Sequence, residues 1–290
     1  MNNTPANNLR KILKENKLHI MPCCYDPLSA KMIEQANFNL SFMSGFSTAA
    51  SKLGMPDTGL ISYGEIIDQG RNICDSVKIP IIGDGDTGYG NEMNIRRTIK
   101  GFYKAGFAAV MIEDQVSPKR CGHTRGKQVI DREGAVARIK AAIDEKKSGS
   151  DILIMARTDA LYDHGIEEAI IRMKAFEKIG ADILFIEGPK NKKEMVMICK
   201  ALKKPKMINL VEGGDTPLLK PKELENIGFS IAAYPLTILS AAMQATKTVF
   251  ENFQNNINNN KMLMPFPEMQ KIIGFDDYFQ LEKIYKKNYK

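Results

Sequence analysis

The chain of 290 residues contains no tryptophan, only three histidines and only five cysteines. It has no run of about 18 apolar residues, so a membrane-spanning helix is not expected. The opening stretch Met1 to Asn8 lacks the apolar centre of a secretory signal. No two cysteines stand at C-x-x-C spacing, so the usual pattern of a structural zinc site is missing. An odd cysteine count, with Cys23 and Cys24 adjacent, fits free thiols in a reducing cytoplasm. A G-x-G-x-x-G loop is also missing, which leaves a dinucleotide-binding doubly wound sheet without its signature. The net charge is +7, yet no basic stripe interleaved with aromatics appears. The lysines are spread along helical segments such as Lys140 to Lys147, so neither nucleic acid nor membrane is expected as a partner. A general positive field draws in anionic small molecules instead.

What the chain does have is alternation. Short apolar runs recur at Leu18–Met21, Leu40–Met43, Ile79–Ile82, Ala109–Ile112, Ile152–Met155, Ile183–Ile186, Lys206–Leu210 and Phe229–Ala233. Continuous apolar character marks strands covered on both faces. Helical patterns lie between them: Asn91 to Ala105, a helix capped by Asp131, Gly165 to Ile179 closed by Gly180, and a helix capped by Asn191. Eight strand–helix alternations predict an α/β fold, a (β/α)8 barrel of the TIM type, with an open doubly wound sheet as the alternative. After a helix ending at Phe253, the polar stretch Gln254 to Asn260 reads as a linker. The division expected is a catalytic barrel over 1–253 and a linker with a helical tail over 254–290. The tail is rich in apolar residues, among them Met269, Phe275, Phe279 and Ile284, and must be covered by its own barrel or by a partner subunit.

A barrel places its chemistry at the C-terminal ends of its strands. There the sequence carries Ser44-Gly45, Asp84 and Asp86, Glu113 and Asp114, Arg157 and Asp159, Glu187, Asn209, and Tyr234-Pro235. Asp84 and Asp86 are two residues apart, so both can point the same way from a strand. With Glu113 alongside they make an all-oxygen negative pocket that suits Mg²⁺, or Mn²⁺ in its place. Arg157 is a bidentate clamp for a carboxylate, or else an ion pair with Asp159 or a neighbouring strand acid. Lys119-Arg120-Cys121-Gly122-His123 then brings a thiol, cations and an imidazole onto one loop. The cations favour the thiolate, and Gly122 lets the backbone approach a ligand closely.

These residues together are recognisable. Lys119 to His123, Gly83-Asp84-Gly85-Asp86-Thr87-Gly88, Ile112 to Gln115, Ala156 to Ala160 and Asn209 to Gly214 resemble the isocitrate lyase and phosphoenolpyruvate mutase superfamily. The branch they most resemble holds 2,3-dimethylmalate lyase and methylisocitrate lyase. The resemblance implies an α/β barrel whose last helix is exchanged between subunits of a homotetramer. It implies Mg²⁺ held by Asp86, with Asp57, Asp84 and Glu113 acting mostly through water. It implies a 2-oxo acid held by Arg157 and the Ser44-Gly45-Phe46 backbone. Glu187, Asn209 and His123 would then orient the other fragment, and Cys121 would supply the proton. The reaction implied is cleavage of a 2-hydroxy dicarboxylate to a 2-oxo acid such as pyruvate, with a phosphonate mutase as the alternative. Two positions depart from the citrate-type pattern. Phe42 stands where those lyases carry tyrosine, which leaves Asp57 or Glu113 to take the hydroxyl proton. Val211 and Gly213 replace hydroxyl side chains that hold an additional carboxylate, so a malate-sized substrate is expected. Pro235 resembles the lyases and differs from the serine of oxaloacetate hydrolases.

Overall fold

The computed structural model describes residues 4–121 and 126–286. Eight parallel strands close into a barrel in chain order: β1 (His19–Cys24), β2 (Ser41–Met43), β3 (Ile81–Asp84), β4 (Ala109–Glu113), β5 (Leu153–Thr158), β6 (Ile183–Ile186), β7 (Lys206–Asn209) and β8 (Ile231–Tyr234). The ring closes where β8 pairs with β1, with His19 opposite Ile231 and Pro22 opposite Tyr234. Each apolar run in the sequence carries one strand, with its ends shifted by a few residues. A closed barrel buries both faces of every strand, which is why no polar alternation marks them.

The faces separate cleanly by a period of two. Met21, Cys23, Phe42, Ile82, Met111, Met155, Phe185, Met207 and Ala233 form one buried cluster, the inside of the barrel. Their neighbours Cys24, Met43, Ile81, Val110, Ile112, Ile154, Leu184 and Ile186 form another cluster, shared with the helix residues Ile66, Ile99, Phe102 and Phe176. The helix Pro5–Lys14 adds Ala6, Leu9 and Ile12 to the inner cluster. Its Arg10 pairs at 2.6 Å with Asp151, just before β5, so this helix covers the N-terminal mouth and leaves the opposite mouth for chemistry.

Side-chain caps set the helix starts as the sequence suggested. Asn91 accepts from the backbone of Asn94, Asp131 from Gly134 at 2.7 Å, and Asn191 from Glu194. One boundary differs. The helix expected from Gly165 begins at Leu161, and Gly165 interrupts it with a left-handed φ of 82°. The chain divides into two compact units, 1–238 and 239–290. The second contains most of the helix Thr237–Gln254 and the helices Phe266–Ile273 and Phe275–Lys286. In the last two no residue is buried. Among the described residues, no helix is long and apolar enough to cross a membrane.

Candidate active site

The inward series of each strand continues past its end. Ile82 is followed by Asp84 and Asp86, Met111 by Glu113, Met155 by Arg157 and Asp159, Phe185 by Glu187, and Met207 by Asn209. Residues two apart share a face, so the same alternation that fills the barrel with methionine and phenylalanine puts these polar groups on its C-terminal rim. In the β4–β5 register Glu113 lies opposite Arg157. They line a pocket together with Ser44, Phe46, Asp57, Lys119, Cys121 and Asn209.

One side of the pocket is acidic. Glu113 N–H donates to Asp86 O at 2.9 Å, which extends the β3–β4 ladder and brings Asp86 beside Glu113. Asp86 itself has a left-handed φ of 48°, a conformation that Asp tolerates better than most side chains, and its N–H donates to Asp84 Oδ1 at 3.1 Å. Asp84 Oδ2 accepts from Gly45 N at 3.2 Å, at the start of the helix Gly45–Leu53. A Cβ at position 45 would sit 2.3 Å from that oxygen, so only glycine lets the helix end approach so closely. Lys119 Nζ lies between two carboxylates, 2.6 Å from Asp57 and 2.7 Å from Asp86.

Arg157 anchors the other side. It grips Asp159 through Nε at 2.8 Å and Nη2 at 3.0 Å, and reaches Glu113 at 3.3 Å and Glu187 at 3.2 Å. Its guanidinium lies over the Phe185 ring, 5.3 Å from the centroid. Asn209 donates to Glu187 at 3.3 Å. Behind this, Asp159 also takes Lys127 at 3.1 Å, and its N–H donates to Asp114. Asp114 is held in turn by Thr158 at 2.6 Å and Arg172 at 3.1 Å. Phe42, Phe46, Met111, Met207, Val211 and Pro235 make an apolar part of the wall, and Arg120 adds a further cation to the lining.

Burial dominates the proton affinities. It raises Asp86 to about 7, with Lys119 opposing and Asp84 and Asp57 adding to the rise. It raises Glu113 well above the usual carboxylate range, with Arg157 opposing. For Asp159 burial alone would do the same, but Arg157 and Lys127 outweigh it and hold the group at about 2. Lys119 is desolvated too, yet Asp86, Asp84 and Asp57 keep its affinity well above that of an ordinary lysine.

The donors fit a hard divalent cation. They are carboxylate oxygens, a cationic ammonium already stands between two of them, and Glu113 Oε1 is buried without a hydrogen-bond partner. Among the described residues no three acidic, histidine or cysteine side chains already converge as a cage.

Of the residues expected from sequence, Ser44, Gly45, Phe46, Asp57, Asp84, Asp86, Glu113, Cys121, Arg157, Glu187 and Asn209 gather at this one mouth. All but Gly45 and Asp86 line the pocket directly. Ser44 caps the helix Gly45–Leu53 through its side chain. Gly122 and His123 lie outside the described residues. Sequence reasoning grouped Lys119 with the thiol, whereas the structure puts its ammonium among the acids. It also missed Lys127 and Arg172, and only the spacing of Asp159 two residues beyond Arg157 hinted at that network.

A family model described as phosphoenolpyruvate phosphomutase matches residues 9–254. The chain belongs to this family. It is 37% identical to 2,3-dimethylmalate lyase of Eubacterium barkeri over 286 residues, 98% of each chain. It is 41% identical to the chloroplastic carboxyvinyl-carboxyphosphonate phosphorylmutase of Arabidopsis thaliana, over 95% of this chain and 83% of that one. It is 32% identical to 2-methylisocitrate lyase of Halalkalibacterium halodurans, over 96% of this chain and 92% of that one. Among solved structures, oxaloacetate acetylhydrolase bound to 3,3-difluorooxalacetate matches with a TM-score of 0.93 at 31% identity, covering 98% of both chains. A 2,3-dimethylmalate lyase, described as a PEP mutase/isocitrate lyase superfamily member, matches at 0.92 and 33%, covering 97% and 95%. A phosphonopyruvate hydrolase complexed with oxalate and Mg²⁺ matches at 0.87 and 27%, covering 97% and 99%. These relatives of the phosphoenolpyruvate phosphomutase family are enzymes that share one barrel and differ in chemistry.

Proposed function

We propose that the protein is a Mg²⁺-dependent carbon–carbon lyase. It cleaves a branched 2-hydroxy dicarboxylate of the malate type into a 2-oxo acid, such as pyruvate, and a carboxylate. The observation that carries this reading is the pocket itself. A buried carboxylate cluster and a buried Arg157 face an apolar wall, with the partly exposed thiol of Cys121 on the same lining.

Asp86, Asp84, Asp57 and Glu113 would hold the metal, which when bound supplies positive charge to acidify a 2-hydroxyl and neutralise the adjacent carboxylate. Arg157 and the backbone N–H of Phe46 bind the carboxylate that ends up on the 2-oxo acid, with Gly45 N–H already given to Asp84 Oδ2. Glu113 or Asp57 accepts the hydroxyl proton, since Phe42 has none to exchange. As the C2–C3 bond breaks, its electron pair passes to the second carboxylate fragment. Cys121 donates a proton to that carbon and takes it back in the reverse direction. Glu187, Asn209 and His123 orient this fragment. Phe46, Met207, Val211 and Pro235 offer methyl-sized apolar contacts, and Val211 has no side-chain donor for a third carboxylate, which would have to be met by Lys119 or Arg120 on the same lining. An unpaired buried carboxylate costs several kcal/mol, so a malate is favoured over a tricarboxylate.

The apolar side chains exposed in unit 239–290, including Phe250, Phe266, Tyr278 and Ile284, support covering of this tail by another subunit of a homotetramer. A second reading, a phosphonate phosphorylmutase, is favoured by the identity to the Arabidopsis enzyme. Incubation with Mg²⁺ and a panel of malates, citrates and phosphonates separates the two. The lyase reading expects pyruvate from a branched malate, and rearrangement of a phosphonate without it would replace that reading with the second.

A further inference from the structure

The outward faces of β4 and β5 end in polar groups as well. Asp114 follows Ile112 by two residues and Thr158 follows Ala156, so both continue the face that packs against the helices. Both are fully buried, and neither lines the pocket. Arg172, on the helix Leu161–Ile179, reaches them from the helix layer and is only 4% exposed. Its Nη1 donates to Asp114 Oδ2 at 3.1 Å and to Ile130 O at 2.8 Å, and its Nε donates to Glu168 Oε1 at 2.8 Å. Three acceptors around one rigid fork fix its orientation. Asp114 applies both of its oxygens to the end of β5: Oδ2 accepts from Thr158 Oγ1 at 2.6 Å and Oδ1 from Asp159 N–H at 3.0 Å. Asp159 then grips Arg157 through both of its own oxygens. Arg157 has other acids to turn to, since Glu113 and Glu187 lie 3.3 and 3.2 Å away. The place of the Asp159 backbone therefore decides which way the guanidinium faces. Two carboxylates buried this close need a cation each. Asp159 has Arg157 and Lys127, and Asp114 has Arg172.

We propose that Arg172 is a positioning residue for the carboxylate clamp: it holds Asp114, Asp114 holds the Thr158–Asp159 backbone, and Asp159 aims Arg157 into the pocket. Arg172 itself touches no substrate and acts from outside the barrel. The acidic side of the site is fixed independently. Arg138 Nη1 donates to the carbonyls of Glu113 and Gln115 at 2.7 and 2.8 Å, so loosening the Asp114 side chain leaves Glu113 in register. Loss of Arg172 is thus felt by the clamp and not by the acids assigned to the metal. This inference rests on the reading of Arg157 as the carboxylate clamp.

The test uses the full chain and oxalate, a small dianion with two adjoining carboxylates, titrated calorimetrically at saturating Mg²⁺. Arg172→Met should weaken oxalate binding about tenfold or more, because a misaimed clamp loses its bidentate geometry. Its affinity for Mg²⁺ alone should change by less than about threefold, a split that general loosening of the fold would not give. Arg172→Lys, which keeps the charge, should recover part of the loss. Thr158→Val removes the hydroxyl that Asp114 accepts from and leaves the ion pair in place, so it tests the same chain of contacts should Arg172→Met not fold. It should weaken oxalate binding about threefold or more, again with little change for Mg²⁺. The two changes combined should cost less than the product of their separate effects, since both act through Asp114. Unchanged oxalate affinity in folded Arg172→Met or in Thr158→Val, or equal losses of oxalate and Mg²⁺ affinity, overturns the proposal. An unaltered protein that binds Mg²⁺ and not oxalate overturns the clamp reading along with it, which distinguishes the two failures.

Discussion

At the level of single residues, the proposed chemistry depends on Cys121 and Asp86. Cys121 is the one thiol that lines the pocket and is partly exposed, while Cys23, which also lines it, is fully buried and pushed well above the usual thiol range by that burial. Cys121→Ser should therefore leave folding and Mg²⁺ binding intact and lower turnover by about 10²–10⁴-fold, the contribution of a positioned proton donor. Near-normal turnover by steady-state assay would remove Cys121 from the mechanism. Asp86 sits at the meeting point of Asp84, Asp57 and Lys119 in a backbone conformation few side chains adopt. Asp86→Ala should abolish activity and Mg²⁺ binding by calorimetry. The same calorimetric trace from the variant and the unaltered protein would show that the metal is held elsewhere.

At the level of elements, the strands set the geometry of the site. Their inward and outward faces could be read from the sequence because a period of two needs no knowledge of tertiary contacts. That is why Asp84, Glu113, Arg157 and Glu187 were legible as one rim. What distance alone decides was not legible. Lys119 reaches acids from two other segments, and Asp159 is shared among Arg157, Lys127 and Asp114 through loops that no periodicity describes. The same holds for the start of the helix at Leu161, where Gly165 looks like a beginning and is a break. The Asp159 network predicts a pH dependence. Its folded-state affinity is depressed to about 2, so its stabilisation is complete above an ordinary aspartate value of 3.8 and is lost as the pH falls through about 2. The loss amounts to about 2 kcal/mol. Asp159→Asn should remove that part of the acid-side fall in denaturation free energy, and an unchanged slope between pH 4 and pH 2 would contradict the role given to it. Because Arg157 would then lack its bidentate partner, the variant should also bind 2-oxo acids more weakly.

At the scale of the whole molecule, the barrel accounts for residues 1–238 by itself, with both faces of its sheet buried. The tail does not account for itself: Phe253, Phe266, Tyr278, Leu281 and Tyr285 are all exposed. Light scattering should report a homotetramer, and a chain ending before Phe266 should lose that assembly. A monomer with the full tail would show that these side chains are covered in some other way.

This member of the phosphoenolpyruvate phosphomutase family is proposed to break a carbon–carbon bond in a branched malate. The most direct measurement is kcat/KM for pyruvate release from 2,3-dimethylmalate and from 2-methylisocitrate, each with Mg²⁺ and after chelation. Pyruvate is expected from both, with a clearly higher value for the malate, and loss of both on chelation with recovery when Mg²⁺ is restored. Pyruvate release that survives exhaustive chelation, or a higher value for the tricarboxylate, would contradict it.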